Sequence, residues 1–161
     1  MTIQIGERIP EATLTRMSEG GPTPVKTSEL FAGKKVVLFG VPGAFTPTCS
    51  ARHLPGYLER HPDFVAKGID TVACVSVNDA FVMGAWGKDQ EVDGKVLMLA
   101  DGNAELTKKL GLERDSSAHG MGTRSQRYAL YAEDGVVKAL EIEPGPGLNV
   151  SSAEALLTKI G

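Results

Sequence analysis

The chain has 161 residues and a formal net charge of −3, with 42% hydrophobic and 23% charged residues. This balance fits one soluble domain, residues 1–161, with a single core, and it offers no electrostatic footprint for nucleic acid. No apolar run is long enough to span a bilayer, and Met1–Arg8 lacks the basic start and apolar stretch of a secretory signal, so the expected compartment is cytoplasmic.

In chain order, Ser18–Pro24 reads as a tight connection. Lys35–Val41 is a short apolar run ended by Pro42-Gly43 and reads as a buried strand. Thr48 to Arg60 reads as a helix bent near Pro55. Thr71–Val77 is a second buried strand. Asn78-Asp79 then offers a cap to a helix from Ala80 to Asp89. Lys95–Ala100 is a third strand, and Asn103 can cap a helix that ends at Gly111, with Lys108 and Lys109 in its last turn. Arg127–Ala132 and Val136–Ile142 are strands joined by Glu133-Asp134-Gly135, a hairpin signal. Glu143–Gly147 is a second Gly/Pro connection, and Ser151–Glu154 carries a capping-box pattern before a last short helix. The alternation of strands and helices, closed by an antiparallel hairpin, predicts an α/β fold. Its arrangement is thioredoxin-like, a mixed central sheet with helices on both faces.

The two cysteines, Cys49 and Cys74, form no CxxC pair, and His53, His61 and His119 lack metal-ligand spacing. In a reducing cytosol both cysteines rest as thiols. The informative stretch is Val41-Pro42-Gly43-Ala44-Phe45-Thr46-Pro47-Thr48-Cys49-Ser50. It follows a strand and opens a helix, which places Cys49 against unpaired backbone N–H groups and the positive end of the helix dipole. Both favour the thiolate, the form that attacks electrophiles. Pro42 and Pro47 stiffen the loop, and Thr46 can turn its hydroxyl toward the same volume. The bland alternative, a small buried thiol near a helix start, remains open on this evidence.

The run PGAFTPTCS resembles the peroxiredoxin signature Pro-x-x-x-Thr-x-x-Cys, with Pro42, Thr46 and Cys49 at its spacing. Its continuation to His53-Leu54-Pro55-Gly56 is similar to the subgroup that holds mammalian peroxiredoxin five and the plant type II enzymes. So are Val72–Val82, Trp86-Gly87 and Gly135–Leu140. The resemblance implies a thiol peroxidase that reduces hydrogen peroxide and organic hydroperoxides without a cofactor. It casts Cys49 as the cysteine that becomes a sulfenic acid. Thr46 then binds the peroxide, Pro42 shields the cysteine from water, and Arg127 stabilises developing charge with Arg124 in support. It also implies a homodimer. The late resolving cysteine of mammalian peroxiredoxin five is matched here by Val150, and Cys74 reads as a buried, inert thiol. The expected reductant is therefore an external thiol: glutathione, glutaredoxin or thioredoxin.

Lesser features carry weaker expectations. His53, four residues after Cys49, could activate it for acyl transfer or hold a structural partner. His119-Gly120-Met121-Gly122 reads as a loop near the site, and Phe45, Phe81 and Trp86 read as core. Two competing functions are a redox sensor switched at Cys49 and a Cys–His hydrolase.

Overall fold

The computed structural model describes residues 2–145 and 147–160, so Met1, Gly161 and Pro146 of the second Gly/Pro connection lie outside the described residues. The chain opens with a hairpin, β1 (Thr13–Ser18) and β2 (Gly21–Lys26). The expected tight connection is thus only the reversal at Glu19-Gly20, and Pro22 and Pro24 lie in a strand. That strand is the sheet edge, where a missing N–H is tolerated. A short α1 (Thr27–Phe31) leads to β3 (Lys35–Val41), the strand before the site loop. Cys49–His53 is a widened π-helical turn, followed by α2 (Leu54–Glu59) and α3 (His61–Ala66). Next come β4 (Thr71–Ser76), α4 (Ala80–Asp89), β5 (Leu97–Ala100) and α5 (Glu105–Leu110). A small separate hairpin, β6 (Glu113–Asp115) and β7 (Thr123–Ser125), precedes β8 (Tyr128–Glu133), β9 (Val136–Ile142) and α6 (Ala153–Leu157).

The main sheet runs β2-β1-β5-β4-β3-β8-β9. β3 pairs in parallel with β4 and antiparallel with β8, and β4 pairs in parallel with β5, so the sheet is mixed as expected. Period-two alternation splits the central strands between two apolar layers. Val37, Phe39, Val41 and Cys74 face one cluster with Cys49 and Trp86, while Val36, Leu38, Ala73 and Val75 face the other. Burial on both faces explains why β3 and β4 read as unbroken apolar runs. Asp134 and Gly135 both take positive φ, 49° and 78°, as a type I′ hairpin turn requires. A Cβ on Gly40 would lie 2.1 Å from the Tyr128 ring, so only glycine lets β8 lay that ring on β3.

One expected cap is met by one residue of its pair, and two others differ from expectation. Asp79 caps α4, accepting from Val82 N at 2.9 Å, whereas Asn78 turns back to the site loop. α5 is capped by buried Asp101, which accepts from Leu106 N and Thr107 N, and not by Asn103. Ser152 caps α6 through Ala155 N, while Ser151 points inward. Each cap lies among several polar residues in a run, and local pattern does not say which of them the tertiary structure will claim.

Candidate active site

Cys49 sits in the helical stretch that opens at Pro47, where the amide of Ser50 bonds to the carbonyl of Thr46. The turn is wide because Leu54 N–H reaches back five residues, to the carbonyl of Cys49. Pro55 has no N–H and its ring crowds the preceding turn, so a bulge immediately before it relieves the conflict. The bend expected at Pro55 therefore takes the form of a π turn that carries both Cys49 and His53. Aromatic packing braces it from below. Phe39 of β3 lies 4.0 Å from the Tyr57 ring in a stacked pair and 4.9 Å from the His53 ring. Such contacts contribute about 0.5–1.5 kcal/mol each beyond area burial.

Cys49 is fully buried. Its sulfur accepts from Arg127 Nη2 at 3.3 Å. Arg127 precedes β8, 78 residues away in sequence, and is itself only 7% exposed. The guanidinium is shared, because its Nη1 donates to His53 Nδ1 at 2.9 Å. His53 Nε2 in turn donates to the Ser151 carbonyl at 3.0 Å, which fixes the tautomer. Burial, then the adjacent Arg127 charge, pushes the His53 pKa down to about 3 against the pull of the Ser151 carbonyl. The ring is thus neutral near pH 7 and keeps a lone pair for Arg127. Neither nitrogen is left for Cys49, so the Cys–His hydrolase arrangement is not formed and His53 has the structural partner that was its other expected role.

Ser151 is the hub behind this line. Its carbonyl also accepts from Tyr57 Oη at 2.8 Å. Its amide and hydroxyl both donate to Glu143 Oε2, at 2.8 and 2.7 Å, and Asn149 N adds a third donor at 2.7 Å. Burial opposes the Glu143 charge, but these donors and Arg127 hold its carboxyl below the usual range. The Glu143 amide bonds to the Arg127 carbonyl, so backbone and side chains both tie the Glu143–Ser151 loop to the site. Ser151, Glu143 and Tyr57 were not anticipated. Each acts across about a hundred residues of chain or from an unremarkable loop, and no local motif marks them.

The remaining expected residues fall around this centre. Thr46 Oγ1 donates to the Gly43 carbonyl at 2.7 Å, which leaves the oxygen lone pairs free to accept. Ala44 N donates to Asn78 Oδ1, pinning the loop to the end of β4. Pro42 and Arg127 line one cavity together. Arg124 makes no hydrogen bond to Cys49. It donates to the carbonyls of Met121 and Val77 and stands over Gly43, so it fastens the Met121 loop against the site loop. That contact also places the His119–Gly122 loop beside the site, as expected.

Cys74 lies buried within β4 and forms no disulfide. Burial, with the Cys49 charge adding to it, pushes its thiol well up, so Cys74 stays protonated. Trp86 is core as expected and donates to Ser50 Oγ at 3.0 Å. Phe45 and Phe81 are not core: they are 50% and 66% exposed. Phe45 also adopts a left-handed backbone (φ 64°), uncommon for a non-glycine residue. Its ring is turned outward from the loop although its type suggests burial.

The Redoxin family model matches residues 4–157. The chain is 53% identical to peroxiredoxin-2E-2, chloroplastic, of Oryza sativa, covering 97% of this chain and 72% of that protein. It is 50% identical to peroxiredoxin-2E, chloroplastic, of Arabidopsis thaliana, covering 97% and 68%. Among solved structures, reduced Prx3 of Vibrio vulnificus in complex with hydrogen peroxide superposes with a TM-score of 0.95 at 51% identity, covering 99% and 100%. The two plant relatives overturn the cytoplasmic expectation. That expectation rested on a few N-terminal residues, and the folded domain carries no physical mark of its compartment.

Proposed function

The chain belongs to the Redoxin family as a peroxiredoxin, a thiol peroxidase, and on that premise we propose that Cys49 is the attacking cysteine, with Thr46 and Arg127 acting on the peroxide. The observation that supports this most is the shared guanidinium, 3.3 Å from the Cys49 sulfur and 2.9 Å from His53. In the proposed step the Cys49 thiolate attacks the terminal peroxide oxygen. An S–O bond forms, the O–O bond breaks, and the alkoxide or hydroxide leaves and takes up a proton. Thr46, its own proton committed to Gly43, accepts from the peroxide O–H. Arg127 faces the sulfur and balances the charge that moves onto the leaving oxygen. Pro42 covers the approach.

The second part of the reading is a one-cysteine cycle closed by an external thiol, with glutathione or glutaredoxin ahead of thioredoxin. It is supported by Val150 standing where a resolving cysteine is expected and by the buried, protonated state of Cys74. Intact mass after one equivalent of hydrogen peroxide tests it. Gain of one oxygen, trapped at Cys49 by a sulfenic-acid reagent, is the expected result. Loss of two hydrogens would mean that Cys74 resolves Cys49 and would overturn the one-cysteine cycle.

The third part is a homodimer. Phe45 and Phe81 are exposed aromatic rings beside the site loop and at the start of α4, and burial of such a ring typically contributes about 1.5–3 kcal/mol. Sedimentation velocity at micromolar concentration should give a dimer, and Phe81→Asp should shift it toward monomer. A wild-type chain that sediments as a monomer would sink the proposal.

A further inference from the structure

A cavity of about 270 Å³ opens beside Arg127. Ligand pockets usually start at about 300 Å³, so this space suits a small molecule. Its wall is charged in both senses. Arg114 and Arg127 line it together with Glu113 and Glu143, and Pro42 and Gln126 are among the other lining residues.

Two features set this pattern apart from an ordinary solvated rim. Arg114 on β6 stands directly opposite Arg124 on β7 in the antiparallel register. Like charges in that position repel, and among the described residues no carboxylate forms an ion pair with either. Arg124 gives its N–H groups to carbonyls, whereas Arg114 is exposed and forms no ion pair among the described residues. The second feature is Glu143. One of its oxygens takes three donors, while the other, buried, takes none. The carboxylate is held anionic by these donors and Arg127, with one oxygen left without a donor. A purely anionic ligand would satisfy the arginine and be repelled by the glutamates. A ligand with both a carboxylate and an ammonium answers both charges.

We propose that this cavity docks the reducing thiol as a small zwitterion, with its carboxylate on Arg114 and its ammonium toward Glu113 and Glu143. The proposal rests on the external-thiol reading above. The thiolate of the docked molecule attacks the sulfur of the Cys49 sulfenic acid. An S–S bond forms, the S–O bond breaks, and the departing hydroxide takes a proton to become water. A second thiolate attacks the ligand's sulfur of the mixed disulfide and releases the Cys49 thiolate. Two thiols thus supply two electrons and leave as their own disulfide. Cys49 is fully buried, so the first attack needs its turn to open toward the cavity.

The test compares glutathione, whose γ-glutamyl end carries both an ammonium and a carboxylate, with dithiothreitol, which has no charge, in steady-state assays of the full chain under saturating hydrogen peroxide. Arg114→Glu should lower kcat/KM for glutathione about tenfold relative to dithiothreitol, mainly through KM, because a charge-assisted contact is reversed. Arg114→Lys should restore most of it. An equal effect on both thiols, or none on either, overturns the docking site. So does a loss confined to oxidation by a carboxylate-bearing hydroperoxide, which would assign the cavity to the peroxide. A wild-type chain recycled by dithiothreitol and thioredoxin but not by glutathione overturns the small-thiol part of the reductant reading, and the docking site with it.

Discussion

Cys49→Ser should abolish peroxide turnover while the protein stays folded. A serine hydroxyl is not ionised near neutral pH and is a far weaker nucleophile than a thiolate. The rate should fall by at least about 10⁴-fold, or about 5 kcal/mol at 1.36 kcal/mol per factor of ten. The substitution is nearly isosteric, and Arg127 Nη2 can donate to the new hydroxyl as it does to the sulfur. The stability cost should therefore be about 1 kcal/mol, a few degrees in Tm. Cys74→Ser is the matched control. It changes a second fully buried sulfur of the same apolar cluster, and single-turnover oxidation should persist. Peroxidase activity in Cys49→Ser, or its loss in Cys74→Ser with the fold intact, would move the chemistry to the other cysteine.

What the sequence discloses about this fold follows the range of the forces involved. β3 and β4 are legible because strands covered on both faces must be apolar along their length. The β9 hairpin is legible because Asp134-Gly135 permits the two positive φ values of its turn. β2 is not legible, since Pro22 and Pro24 read locally as a break and only pairing with β1 makes them a strand. The same division runs through the site. Cys49 and Thr46 lie within four residues of each other and share one motif, whereas Arg127 is readable only through a resemblance. The His53–Ser151–Glu143 line is invisible in sequence, because its contacts span 98 and 8 residues and involve a backbone carbonyl that any residue could supply. Phe45 and Phe81 mislead in the opposite direction: apolar type predicts burial within the chain, yet both rings are exposed.

The His53–Ser151–Glu143 line gives Arg127 the second-largest expected effect. Arg127→Ala should slow Cys49 oxidation about 10²–10³-fold, the usual cost of removing one preorganised donor from a reacting centre. Arg127→Lys should recover little. A lysine keeps the charge, but a single ammonium cannot hold the forked contact to both the Cys49 sulfur and His53 Nδ1. Either change also leaves the buried His53 nitrogen without its guanidinium donor, which should cost about 1–3 kcal/mol of stability in the alanine variant. The two effects separate experimentally. Trp86 is the one tryptophan, and its indole N–H bonds to Ser50, the residue after Cys49. Stopped-flow fluorescence under excess peroxide therefore reads the oxidation step directly, while thermal melts read the fold. A slow oxidation phase in a fully folded Arg127→Lys protein is the expected outcome. Wild-type rates in that variant would mean that charge alone suffices and that the forked geometry between Cys49 and His53 has no part in the reaction.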